Sequence, residues 1–234
     1  MDEQMKSNRT AARAFGIFFL MGYVAYALGN ILILSITNSP DSLSHVHANK
    51  TLVISGAILM SVIETFFNMG LVVIILPILK RHNKTVAYGY LGAAIITTTM
   101  LVAGAIFLLL LVPLSDEFTK AGAGAAAYFQ TMSVLCIKGN FFSYQTGMAI
   151  WGLGGLLLCY LLYVSKLVPR FLAAWGFIGY IIFISGAILA LFGYSVDVFM
   201  DIPGGLFEIF LSIWLIVKGF NSSASIYKPV KSDN

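Results

Sequence analysis

Leu52 to Leu79 reads LVISGAILMSVIETFFNMGLVVIILPIL, a run long enough to cross a bilayer that carries one carboxylate, Glu64, near its middle. An apolar run of this length is a membrane-spanning helix. Ser61, Glu64, Thr65 and Asn68 stand three and four residues apart, so on a helix they form one polar stripe. Such a stripe must face protein or water, because lipid offers a buried charge no partner. Other helices must therefore pack around this one.

The rest of the chain supplies them. Of 234 residues, 59% are hydrophobic and 10% charged, against roughly a quarter charged in a soluble domain. A basic segment, residues 1–13, precedes the uncharged run Ala14 to Ile36. That run is too long for a signal-peptide core and lacks a small-residue cleavage site, so it is expected to remain as the first span. Ala25 and Gly29 offer a neighbouring helix a close approach, and Asn30 adds an amide. The third span is expected over Tyr88 to Val112, ended by Pro113. The fourth runs from Phe141 to Val164 with Gln145 near its start and the small residues Ala149, Gly152 and Gly155. The fifth covers Phe171 to Phe192. The sixth opens at Pro203 and carries Glu208.

Basic residues orient the chain, since Lys and Arg collect in short cytoplasmic loops. Six spans with a cytoplasmic N-terminus put 11 of the 14 basic residues inside, leaving Lys50, Lys120 and Lys138 outside. A seventh span over Tyr128 to Ile137 would equalise the two sides. The sequence thus predicts an all-α polytopic membrane protein. It has a cytoplasmic segment at 1–13, a six-helix domain at 14–219 and a cytoplasmic tail at 220–234. Residues 121–138 form an outer interfacial or re-entrant helical segment, or an extension of the fourth span. The basic balance is explained by the bilayer, so nucleic acid is not an expected partner. The repeated Ile-Ser-Gly-Ala-Ile-Leu at Ile54 and Ile184 lies at different depths of its two helices and is read as coincidence.

Little here resembles catalytic machinery. His45, His47 and His82 all fall outside the apolar spans, so no intramembrane histidine metal site can be built. The His-x-His pair beside Asp41 is read as a solvated loop. Nucleotide, haem and nucleophile-elbow motifs are absent. Cys136 and Cys159 match no redox or metal spacing. An enzyme, which here would be a lipid-modifying one, ranks behind binding and structural readings, and no cofactor or metal is expected. What remains is a set of acids and amides: Glu64, Asn68, Ser61, Glu208, Asn30 and Gln145. At about 1.5 Å per residue, Glu64 lies roughly 18 Å from its outer helix end and Glu208 about 7–8 Å from a helix opening at Pro203. No Lys or Arg lies within any expected span, so each glutamate must be protonated, hydrogen-bonded, wet, or bound to a cation or cationic ligand.

The C-terminal third also carries a resemblance. Leu161-Leu162-Tyr163-Val164-Ser165-Lys166 is followed by Val168-Pro169-Arg170 and by Gly176 to Tyr180. Pro203 with Glu208 and then Trp214-Leu215-Ile216-Val217-Lys218-Gly219 follow. This pattern resembles a bacterial multi-pass membrane family catalogued as domain of unknown function 4386, with Ala173 where that pattern has Gly. The resemblance implies a bacterial cytoplasmic membrane and no particular chemistry. Two readings of function follow from the residues: a protein handling a small ligand or ion around Glu64, or a non-catalytic sensor or assembly protein whose glutamates join helices.

Overall fold

Apolar runs that cannot hydrogen-bond to lipid must satisfy every peptide group internally, and helices do so within one segment. A computed structural model describes residues 2–39, 41–121 and 125–221, and among these no strand occurs. The helices are α1 (Asp2–Thr37), α2 (Ser42–Ala48), α3 (Lys50–Ile58), α4 (Glu64–Leu79), α5 (Lys84–Leu109), α6 (Leu111–Ala121), α7 (Ala126–Ser165), α8 (Arg170–Leu191) and α9 (Asp197–Val217). A π turn, Leu59–Ile63, joins α3 to α4. Six stretches are long and apolar enough to cross a membrane: Asn8–Thr37, Lys50–Leu79, Lys84–Ala121, Ala126–Ser165, Arg170–Leu191 and Val198–Val217. Six spans is the number the charge pattern selected.

Several boundaries differ from the sequence reading, each for a physical reason. Pro113 does not stop the third helix, because it falls in the first turn of α6, where backbone N–H groups have no helical partner to lose. The chain therefore stays helical to Ala121 after a one-residue break. Pro203 lies inside α9, which begins earlier, at Asp197. Of the three forms expected for residues 121–138, the structure gives residues 126–138 the third, an extension of the fourth span. They are the first turns of the 40-residue α7, about 60 Å long against a hydrocarbon core of about 30 Å. The expected loop around His45 and His47 contains α2, which buries Leu43 and Val46, three residues apart, against neighbouring residues. The N-terminal segment 1–13 is helical from Asp2 and continuous with α1. Of the expected tail, residues 222–234 lie outside the described residues, as do residues 122–124.

Two compact units emerge. One comprises Met1–Leu20, Phe67–Thr97 and Met148–Asn234, the other Met21–Phe66 and Thr98–Gly147. The first unit has its core in Phe15, Phe19, Val72, Ile75, Tyr90, Leu158, Leu162, Tyr180, Phe207 and Leu211. Its α8 and α9 form an antiparallel pair, whose turn uses Gly193 at φ 89°, a backbone conformation open to glycine without steric cost. The second unit has a core of Ile33, Ile36, Val46, Val53, Ala57, Met60, Ala105, Leu108 and Leu111. There α2 packs on α6, and the Asp116 carboxylate takes an ion pair from Lys50 and a second from His47 at 2.9 Å.

Candidate functional site

Glu64 is the first residue after the π turn. Its N–H reaches back five residues to the Leu59 carbonyl and also toward Ser61 O, so Met60 O, the ordinary partner four residues back, is bypassed. Turns of this kind concentrate at functional positions, because a wide turn re-aims side chains and weakens the local ladder. The Ser61 hydroxyl donates to the Ala57 carbonyl at 2.5 Å. Ser61 therefore serves its own helix backbone, a bond that accounts for its hydroxyl. Glu64 is 7% exposed.

Within the same unit, Gly29 of α1 and Gly56 of α3 bring two helices into backbone contact. A Cβ on Gly29 would stand 2.5 Å from the Gly56 carbonyl oxygen. One turn from Gly29, Tyr26 stacks on Tyr144 of α7, ring centroids 5.4 Å apart and 26° from parallel. The Glu64 carboxyl and the Tyr144 hydroxyl are both within electrostatic reach of the Tyr26 hydroxyl. Gln145, beside Tyr144 in sequence, is buried, and Asn30 is half-buried. The second unit thus gathers Glu64 with two tyrosines that the sequence reading passed over. Asn68 is buried on α4 one turn beyond Glu64, and by the chain's division it belongs to the first unit.

Glu208 occupies a different setting. With α9 running from Asp197 to Val217, Glu208 stands near the middle of its helix rather than close to one end. The shallow depth expected from a helix opening at Pro203 is therefore corrected, since residues 197–202 ahead of that proline are already helical. Glu208 is 1% exposed. Its Oε1 accepts two side-chain hydrogen bonds, from Trp151 Nε1–H at 2.8 Å and from the Tyr180 hydroxyl at 2.5 Å. The Ser212 hydroxyl donates to the Glu208 backbone carbonyl at 2.8 Å. Phe207 stands edge-on to Tyr180, and Phe19 packs on Trp151. Tyr90 is buried with its hydroxyl within electrostatic reach of Glu208, and that hydroxyl makes no hydrogen bond among the described residues.

The glycines here make room for side chains from neighbouring helices. Gly155 makes room for the Tyr180 ring, Gly176 for the Phe207 ring and Gly152 for Ile184. They admit large side chains rather than another helix backbone. A signal for the aromatic donors did exist in the sequence. With no Lys or Arg in the spans, a buried acid must draw on Trp, Tyr, Asn or Gln, and Trp151 and Tyr180 lie on the fourth and fifth spans. No group of three His, Cys, Asp or Glu side chains suited to a metal occurs among the described residues.

Six long apolar helices, with carboxyl groups buried on two of them, define an all-α, multi-pass integral membrane protein. Comparison with family models carries this further: residues 14–219 match the family described as Domain of unknown function (DUF4386), and the chain belongs to that family. The match extends the likeness of the C-terminal third across nearly the whole chain. No curated protein and no solved structure matches it.

Proposed function

We propose that this membrane protein binds or conducts a small ligand or ion, and that Glu64 is the group that exchanges it. The observation that carries this reading is the π turn set directly before a buried acid, next to the Tyr26–Tyr144 stack. The carboxyl offers oxygen ligands to a proton or small cation, the wide turn gives it room to move, and the Tyr26 hydroxyl lies within its electrostatic reach. Gln145 and Asn30, in the same unit, are secondary candidates. Glu208 contrasts with it, because two side-chain donors inside a packed aromatic shell support a structural role. The rival class, a sensor or assembly protein with purely structural glutamates, makes opposite predictions for Glu64.

Orientation belongs to the same proposal. The basic residues favour both termini on the cytoplasmic side of a cell membrane. The test for binding is thermal stabilisation of the purified chain over a series of alkali cations and small amines. A binder gains stability in proportion to the logarithm of ligand concentration, about 1.4 kcal/mol per tenfold well above Kd. Glu64→Gln keeps the shape and removes the ionisable group, so it is expected to fold normally and to lose the stabilisation. If no cation or amine stabilises the wild type, or Glu64→Gln responds equally, the reading fails.

A further inference from the structure

In the first unit three chain segments are stitched into one junction. Asn221 donates from its backbone N–H to Leu167 O at 2.9 Å and from Nδ2 to Lys166 O at 2.9 Å. These bonds tie the end of α9 to the turn between α7 and α8. Arg13 Nε donates to Ile216 O at 3.2 Å, and a Cβ on Gly219 would meet Arg9 Cγ at 3.4 Å, so the start of α1 closes on the same place. Gly219, at φ 73°, lets the chain leave the helix here, and Phe220 is buried beneath.

The junction collects five exposed cations: Arg9, Arg13, Lys166, Arg170 and Lys218. No Asp or Glu occurs within residues 9–13, 165–171 or 212–221. Among the described residues none of the five is in a salt bridge, since the ion pairs join Asp116 to His47 and Lys50 and Glu117 to Lys120. Arg170 instead lies over the Tyr163 ring at 5.1 Å. Lys166 takes a left-handed backbone at φ 57°, which costs a side-chain-bearing residue about 1–2 kcal/mol. The helices that meet here, α1 and α9, also hold two N–H donors that are buried without an acceptor among the described residues, Asn8 Nδ2 and Trp214 Nε1, and Asn8 itself is 5% exposed. Donors and positive charge are in excess, and acceptors are short.

We infer that this junction binds the phosphate of an anionic phospholipid headgroup. Phosphodiester oxygens supply the acceptors that the junction lacks. Guanidinium groups match them in two-pronged geometry. The carbonyl bond to Ile216 engages Arg13 through Nε and leaves its two terminal nitrogens to donate. A lipid is favoured over a free anion because the site lies where helices of spanning length end, at headgroup depth. The inference does not depend on Glu64.

Thermal unfolding of the full chain in neutral detergent, with added phosphatidylglycerol, phosphatidylcholine or inorganic phosphate at equal concentration, tests it. Phosphatidylglycerol is expected to stabilise the protein, and the effect should shrink in about 1 M salt, where the screening length is about 3 Å. Phosphatidylcholine and free phosphate are expected to do little. Each cation near the surface contributes roughly fivefold in affinity. The triple variant Arg9→Gln, Arg13→Gln, Lys218→Gln should therefore need on the order of 100-fold more lipid. Arg9→Gln with Lys218→Gln, which leaves the Arg13 bond to α9 in place, should need roughly 25-fold more. Lys138→Gln, in the second unit, should change nothing. Equal stabilisation by phosphatidylcholine or by phosphate, or an unaltered phosphatidylglycerol response in the double variant, would overturn the assignment.

Discussion

Replacing Glu208 by methionine, an unbranched apolar chain of similar length, removes the acceptor shared by Trp151 and Tyr180 while filling most of the space. Two buried donors then face an apolar side chain. In water-soluble proteins each such orphan costs about 1–3 kcal/mol. Hydrogen bonds between membrane helices average about 0.6 kcal/mol and reach about 1.7, since the unfolded chain in the membrane also finds partners. For two bonds the expected loss is therefore about 1–3 kcal/mol. Glu208→Gln keeps an oxygen in the same place and should lose less than half of that. The decisive variant is the triple one, Glu208→Met with Trp151→Phe and Tyr180→Phe. Deleting the two donors with their acceptor removes the orphans that Glu208→Met creates, and such exchanges are close to neutral, so stability should return to within about 1 kcal/mol of wild type. Unfolding in mixed micelles with a denaturing detergent gives the free energies. Tryptophan emission gives a local signal, because the chain has only three tryptophans and Trp151 is isolated by difference. A Glu208→Met variant as stable as wild type would refute the clasp. So would a triple variant whose loss is the sum of the three single losses.

Three further outcomes are expected. Gly29→Ala, whose methyl would press on the Gly56 carbonyl, should lower stability by about 1–3 kcal/mol. Gly92→Ala, with nothing within 4 Å of the new atom, should be neutral or mildly stabilising. Matched melts of the two that agree would remove the case for a tight crossing at Gly29. Half-buried His82 is held below the ordinary imidazole value of 6.5, first by burial and then by neighbouring Arg81. Below that value the unfolded chain binds the proton that the folded one resists, so stability is complete above it and falls with further acidification. His82→Gln should flatten that decline in melting temperature, and identical pH slopes would contradict it. A reporter fused after Asn234 should read cytoplasmic and one inserted at Thr119 external, while an external C-terminus would reverse the charge-based orientation.

The spans were legible because lipid imposes a length and a composition, and both are written in the letters. Helix ends were not. Pro113 was read as an end and Pro203 as a first-turn opening, yet Pro113 itself falls in a first turn, and α9 is already helical from Asp197, six residues ahead of Pro203. Length alone could not say that Tyr128 to Lys138 extends α7, because a helix leaving the bilayer needs no apolar signal. The acids were found at once, and their surroundings were missed for one reason. Donor pairs such as Trp151 and Tyr180 with Glu208 are 57 and 28 residues apart in the chain, and no local spacing encodes them. The π turn was equally hidden, since Leu59 to Ile63 are ordinary helix formers.

The two buried glutamates illustrate how context divides identical side chains. Glu208 lies mid-helix in regular α geometry, with an N–H and an O–H fixed on one of its oxygens and rings packed around them. Any new charge or ligand there must first displace that packing, and dense side-chain packing resists such change. Glu64 follows a wide turn, where its N–H reaches five residues back rather than four and the helical ladder is loosened. On the function proposed above, the wide turn makes Glu64, rather than Glu208, the acid expected to gain and lose a partner. The prediction that separates them is a comparison of Gln variants. Glu208→Gln should alter stability modestly and leave cation-dependent stabilisation intact, whereas Glu64→Gln should spare stability and abolish it. The opposite pattern would move the exchangeable acid to α9.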